Sequence, residues 1–257
     1  MTTPPALIET MRLEQGRIAL WPGHRMRLRA SAAALGYPLD LTALDAQVSA
    51  SLHAATQDAS SDSSTVDPKT AWRLRLLLAA DGQISLTAAP LPPTPVPVRL
   101  AIAADILGDR IEPCPPPPSH PQLPDSFWRR HKTSHRPWFT AAHAWLQAHT
   151  DCFDLVFSDA SERLSEGSRC NVYVRDPQGR WLTPPANGGV LPGVQRQWLL
   201  DQGLAREADL SLDDLCTAPA LRVSNALRGW LDAQLVRDAR HWTETQAEGM
   251  HSFTPRP

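Results

Sequence analysis

The stretch "EPCPPPPSHPQLP", residues 112–124, holds seven prolines in thirteen positions. Each proline fixes φ and removes a backbone donor, so helix and inner strand are excluded and an extended, semi-rigid connector is favoured. We expect the chain to divide here. Residues 1–111 would form a small N-terminal lobe, 112–124 a linker, and 125–257 a larger C-terminal lobe. A chain of 257 residues is long enough for two domains of ordinary size.

Local patterns before the prolines mix both periodicities. "ALIETMRLEQGRIAL" reads as two short strands about a turn at Gln15-Gly16. Pro22 opens a helix that Gly36 ends, and "DLTALDAQVSASLHAA" carries a second helix capped by Asp40 or Thr42. "TQDASSDSSTVDPKT" is a polar, serine-rich loop. "AWRLRLLLAADGQISLTAAP" is a hairpin turning at Asp81-Gly82, and "PVPVRLAIA" adds a strand.

After the prolines, a helix is expected in "SHRPWFTAAHAWLQAH" and a buried strand in "CFDLVFSD". "CNVYVRD" and "GRWLTPP" pair about Pro177-Gly179. "PGVQRQWLLDQG" and "DLSLDDLCTA" are helices, and "ALRVSNALRGWLDAQLV" gives two closing strands. The tail after Val236 reads as loose. Strands dominate and the helices interrupt them irregularly, which predicts an α+β fold with mixed sheets in two lobes.

Charge and composition exclude several functions. With 25 basic and 27 acidic residues the net charge is −2, which leaves no electrostatic footprint for nucleic acid or a membrane surface. Four scattered cysteines make no CxxC pair, so reduced thiols in a cytoplasmic protein are expected. Neither GxGxxG nor GxxxxGK[ST] occurs, so no dinucleotide or P-loop site is supported.

Lysine is scarce: only Lys69 and Lys132 are present. Lysine alone among the cations forms a Schiff base, and Lys132 stands in "RRHKTSHRPW" among cations that would lower its pKa. A plain surface lysine is the competing reading. Glu166, in "SERLSEGSRCNVYV", is a carboxylate between two strands rather than on a solvated helix face. Arg27, in "HRMRLRAS", is read as facing inward, with Arg25 and Arg29 solvated. "GGVLPGVQR" offers the free N–H groups of a helix N-terminus to an anion, and "RVSNALRG" a second polar turn. The histidines of "HKTSH" have a zinc-like spacing without a third ligand, so no metal is expected. A Schiff-base lysine, a phosphate cup and an acid for a ring nitrogen together make a pyridoxal 5'-phosphate site.

The pieces "LIETMRLEQGRI", "HRMRLRASAAALGYPLD", "HKTSHR", "DLVFSDASERLSEGSRCNVYV", "LTPPANGGVLPGVQR" and "VSNALRGW" follow one another in family order. On these the chain resembles the class IV aminotransferase family of fold-type IV pyridoxal phosphate enzymes. The likeness is greatest to its 4-amino-4-deoxychorismate lyase branch, above all to lyase domains fused behind aminodeoxychorismate synthase. The resemblance implies that Lys132 holds the cofactor and shuttles protons, Glu166 pairs with the ring nitrogen and Arg27 with the phosphate. It implies phosphate contacts from the backbone of Val194, Gln195 and Ala226, and Leu191 against the ring. Thr10, Arg136 and Asn171 fall at pocket positions. It further implies a homodimer, a small-molecule amino substrate and an association with an aminodeoxychorismate synthase. Relatives often carry tyrosine where this chain has Phe139. Lyase activity is the first expectation and transamination of a branched-chain, D-amino acid or amine substrate the second.

Overall fold

The computed structural model describes residues 3–61, 71–108, 116–186, 189–237 and 242. Strand β1 (Leu7–Leu13) leads through a turn to helix α1 (Trp21–Leu35), followed by α2 (Leu41–Ser61). A hairpin of β2 (Ala71–Leu78) and β3 (Ile84–Leu91) completes a three-stranded antiparallel sheet in the order β1-β2-β3. The buried positions of β1 and β2 pack on both helices around Met11, Leu28, Leu44 and Leu74.

The second sheet has eight strands. In chain order they are β4 (Val98–Ile102), β5 (Asp154–Ser158), β6 (Leu164–Gly167), β7 (Asn171–Arg175), β8 (Trp181–Thr183), β9 (Arg206–Glu207), β10 (Leu221–Asn225) and β11 (Gly229–Leu235). Their spatial order is β6-β5-β4-β11-β10-β7-β8-β9, with β4 parallel to both β5 and β11 and most other pairs antiparallel. Helices α3 (Ala103–Leu107), α4 (Asp125–Arg130), α5 (Thr140–Ala148), α6 (Val194–Asp201) and α7 (Leu212–Thr217) join these strands. The mixed-sheet α+β architecture expected from the sequence is the one observed. Among the described residues no helix is long and apolar enough to cross a membrane.

Several local expectations hold for their stated reasons. Gly36 ends α1 in the left-handed conformation, with φ 71°. Asp40 caps α2, its Oδ1 accepting the Thr42 and Ala43 N–H groups. Ser211 and Asp214 form a reciprocal capping box on α7.

Others are corrected. No second strand follows Gln15-Gly16: a single bridge joins Glu14 to Arg17, and the chain turns at once into α1. The serine-rich stretch is not loop from its start, because α2 runs to Ser61; 62–70 lie outside the described residues. The described part of the proline stretch, 116–124, is not extended but folded into two turns, Pro117–His120 and His120–Leu123. Pro118 and Pro121 occupy the second turn position, where a φ fixed by the ring is already correct. Strand β4, which precedes the prolines, belongs to the eight-stranded sheet, so the chain changes sheets between Leu91 and Val98. Of the tail expected to be loose, Trp242 is buried, edge-on to Trp145 at 5.7 Å and beneath the Arg99 guanidinium at 4.7 Å. Residues 243–257 lie outside the described residues.

Candidate active site

Lys132 sits where the two sheets meet. Helix α4 stops at Arg130, and a single antiparallel bridge, Leu7 to Thr133, lays residues 132–134 beside β1. The Ile8 N–H donates to the Lys132 carbonyl at 2.8 Å, and the Ser134 N–H donates to the Ala6 carbonyl at 2.8 Å. The lysine backbone is thereby fixed while its side chain enters a cavity of about 640 Å³. His131 and His135 consequently share no helix; His131 meets the Ser31 hydroxyl and His135 the edge of Trp128.

Burial pushes the Lys132 amine down, Arg136 and Arg27 push it further, and Glu9 and Glu166 oppose them, leaving a pKa of about 7. Glu166 lies in β6, a strand the polar composition of "SERLSEG" concealed. Burial raises its carboxyl, while Arg136, the Leu191 N–H and Lys132 pull it down; the net result is about 7. Oε2 of Glu166 accepts the Leu191 N–H at 3.0 Å, and Oε1 stands 3.6 Å from the Arg136 guanidinium. An amine and an acid on one cavity, both poised near neutrality, suit proton transfer.

The loop before α6 is tied to two strands. Asn171 of β7 donates to the Leu191 carbonyl at 3.1 Å, and the Ser165 hydroxyl donates to the Gly189 carbonyl at 3.2 Å. Gly193 is the N-cap of α6, and no side chain caps that helix end. A Cβ at Gly193 would overlap Asn171 Oδ1, so the close approach requires glycine. Among the described residues the first N–H groups of α6 have no capping partner and could serve an anion. Gly23 of α1 also packs closely on the Val194 side chain, which brings the Arg27 helix against this helix end.

Arg27 is held by Glu9, whose Oε1 and Oε2 accept its guanidinium at 2.9 and 2.5 Å, and it also donates to the Pro192 carbonyl. His24 Nδ1 lies 2.6 Å from the same carboxylate. Burial opposes ionisation of Glu9, but Arg27 and His24 win and hold its pKa at about 2. Arg25 instead pairs with Asp45 at the surface, as its solvated reading required.

The cavity thus gathers Lys132, Arg27, Glu166, Leu191, Val194 and Ala226, together with Thr10, Arg136 and Asn171. Gln195 lines a neighbouring cavity, which also reaches Ala226 and His24. Phe139 is fully buried, with the Arg136 guanidinium 4.7 Å above its ring.

Two buried acids that hold residues of the site are not singled out by the sequence pattern. Glu9 lies inside an apolar strand. Asp154 lies inside a buried strand. It accepts the Leu155, Ser168 and Arg169 N–H groups and the Ser168 hydroxyl, at 2.6–3.0 Å, and so shapes the turn after Glu166. In both cases the available signal was an acid placed where alternation calls for an apolar side chain.

A family model for amino-transferase class IV matches residues 6–236. The chain belongs to the class IV aminotransferase family. Its members depend on pyridoxal phosphate and act on small amino substrates. The chain is similar to a candidate amino-acid aminotransferase from Mesorhizobium loti, at 33% identity over 91% of this chain and 100% of that one, with a TM-score of 0.68. It shares its fold with 4-amino-4-deoxychorismate lyase from Pseudomonas aeruginosa, at 20% identity, 96% and 92% coverage and a TM-score of 0.67. A hypothetical aminotransferase from Mycobacterium tuberculosis, solved in a PLP-bound form, gives 22% identity, 96% and 89% coverage and a TM-score of 0.63. Aminodeoxychorismate lyase of Saccharomyces cerevisiae is 35% identical over 80 residues, which is 30% of this chain and 21% of that protein.

The residues present fit the family's cofactor. The donor set is one half-buried lysine facing the cavity, one buried carboxylate, and an arginine beside a helix end that no side chain among the described residues caps.

Proposed function

We propose that the protein is a pyridoxal-phosphate-dependent 4-amino-4-deoxychorismate lyase, forming 4-aminobenzoate and pyruvate. The observation that carries the cofactor assignment is the pairing of Lys132 and Glu166, each shifted to about 7, on one cavity. The choice of a lyase follows the local likeness to the yeast enzyme.

In this reading Lys132 would hold the cofactor through Nζ, Arg27 and the N–H groups opening α6 would hold its phosphate, and Leu191 would pack against its ring. When bound, pyridoxal phosphate supplies an aldehyde for the substrate amine and a pyridine ring able to accept electron density. Glu166, its position fixed by the Leu191 N–H, would keep a proton at the ring nitrogen. Lys132 Nζ, released once the substrate's own amine has displaced it from the cofactor, would take the proton from the amine-bearing carbon of the substrate. Arg136, beside Glu166, keeps the lysine from holding that proton too tightly.

Transamination is the second reading, favoured by the 33% identical Mesorhizobium protein. Purified protein loaded with cofactor separates the two. Release of 4-aminobenzoate without an oxo-acid acceptor is the expected result, and amino transfer that requires an acceptor would replace the lyase reading.

We also propose a cytoplasmic homodimer, with association to a synthase as a further expectation of the family likeness.

A further inference from the structure

The cavity holds more positive charge than its cofactor would use. Arg27 is neutralised by Glu9, and Arg136 faces Glu166. Arg75 and Arg169 also line the cavity, yet among the described residues neither has a carboxylate within ion-pair distance.

Their placement is set by the sheets. In the β1–β2 register Thr10 is opposite Arg75, and Ile8, Thr10 and Arg75 all face the cavity, while Glu9, Leu74 and Leu76 are buried on the other face. Arg169 follows the Asp154-bound turn, its backbone N–H held at 3.0 Å. Arg228, on the neighbouring cavity, lies close enough to Arg12, Arg73 and Arg169 to feel their charge. A guanidinium without a counter-ion, beside a cavity, is suited to a carboxylate by its planar fork of donors.

We propose that Arg75 and Arg169 form a carboxylate-recognition pair that selects amino substrates bearing a second carboxylate over those bearing one. The proposal rests on the lyase reading, whose substrate carries one carboxylate on its ring and another on its enolpyruvyl group. Each product carries a single carboxylate, so the pair holds the substrate more firmly than either product.

The test uses cofactor-loaded protein and two inert probes, isophthalate and benzoate, with binding measured by calorimetry. Wild type is expected to bind isophthalate at least about tenfold more tightly than benzoate, as one charge-assisted contact would give. Arg75→Gln is expected to bring the two affinities within about threefold, and Arg75→Lys to restore part of the preference. With 4-amino-4-deoxychorismate, kcat/KM of Arg75→Gln should fall about tenfold to a hundredfold, chiefly through KM. Arg169→Gln is read in the same way. A wild type that does not discriminate between the probes, or variants that keep its preference, would overturn the proposal. Failure of the lyase reading has a different mark, the absence of 4-aminobenzoate from wild-type protein, and leaves the probe measurement intact.

Discussion

Glu9 grips Arg27 through two hydrogen bonds, at 2.9 and 2.5 Å, and both side chains are largely buried. The acid on β1 thus aims the arginine of α1 at the helix end that Gly193 opens. An arginine free to sample several rotamers would hold a phosphate poorly, so under the proposed cofactor assignment Glu9 would position Arg27.

Glu9→Gln should therefore weaken pyridoxal phosphate binding by about tenfold or more, read by titration of its visible absorbance. It should also lower thermal stability, since breaking a buried ion pair costs about 3–5 kcal/mol. The sign of the pH dependence follows from the folded pKa of about 2 against an ordinary 4.5. The contribution of Glu9 is complete above pH 4.5 and is lost as pH falls toward 2, so the stability gap between variant and wild type should close over that window. A gap that did not narrow over that window would mean that folding leaves the carboxyl pKa near its ordinary value.

Lys132→Met should raise the melting temperature of the cofactor-free protein, because a buried amine held at about 7 opposes folding while it is charged. The unfolded lysine titrates near 10.5, so the unfolded chain binds the extra proton between pH 7 and 10.5. The penalty is fully present below pH 7 and disappears as pH rises through that range. Melting curves of the two proteins should accordingly converge toward pH 10.5. Equal stability at pH 6 would contradict the burial of the amine.

Much of this geometry could be read in the sequence because it depends on local signals. Gly36, Asp40 and the Asp81-Gly82 turn act through their own backbones, and the elements they delimit are where the pattern puts them. Lys132 stood out because only one other lysine exists. What stayed hidden depends on contacts between distant segments. Nothing within "LIETMRL" indicates that Glu9 meets Arg27. Nor does the proline stretch reveal that β4, upstream of it, pairs with β5 and β11. Strand β6 was obscured because small polar residues, Ser165 among them, are used there to bind the 189–193 loop.

That loop offers a packing test. Gly193→Ala would drive a methyl group into Asn171 Oδ1, an overpacking that costs about 1–3 kcal/mol. Reduced thermal stability and weaker cofactor binding are expected. Asn171→Ala introduced alongside should recover part of the stability, since the overlapping atom is gone. Two losses that simply add would indicate that the two residues are not coupled.

Glu166→Gln keeps an oxygen for the Leu191 N–H and so should keep the fold and the capture of cofactor. It cannot hold the ring nitrogen protonated as the acid does, and kcat should fall by about a hundredfold or more. Absorbance and turnover on the same samples separate the two effects. Unchanged turnover would remove Glu166 from the chemistry.

Covalent trapping tests the whole account most directly. Protein loaded with pyridoxal phosphate is reduced with borohydride, digested, and mapped by mass spectrometry. The account predicts the pyridoxyl group on the peptide carrying Lys132. Its presence only on Lys69 or the N-terminal amine, with Lys132 unmodified, would contradict it.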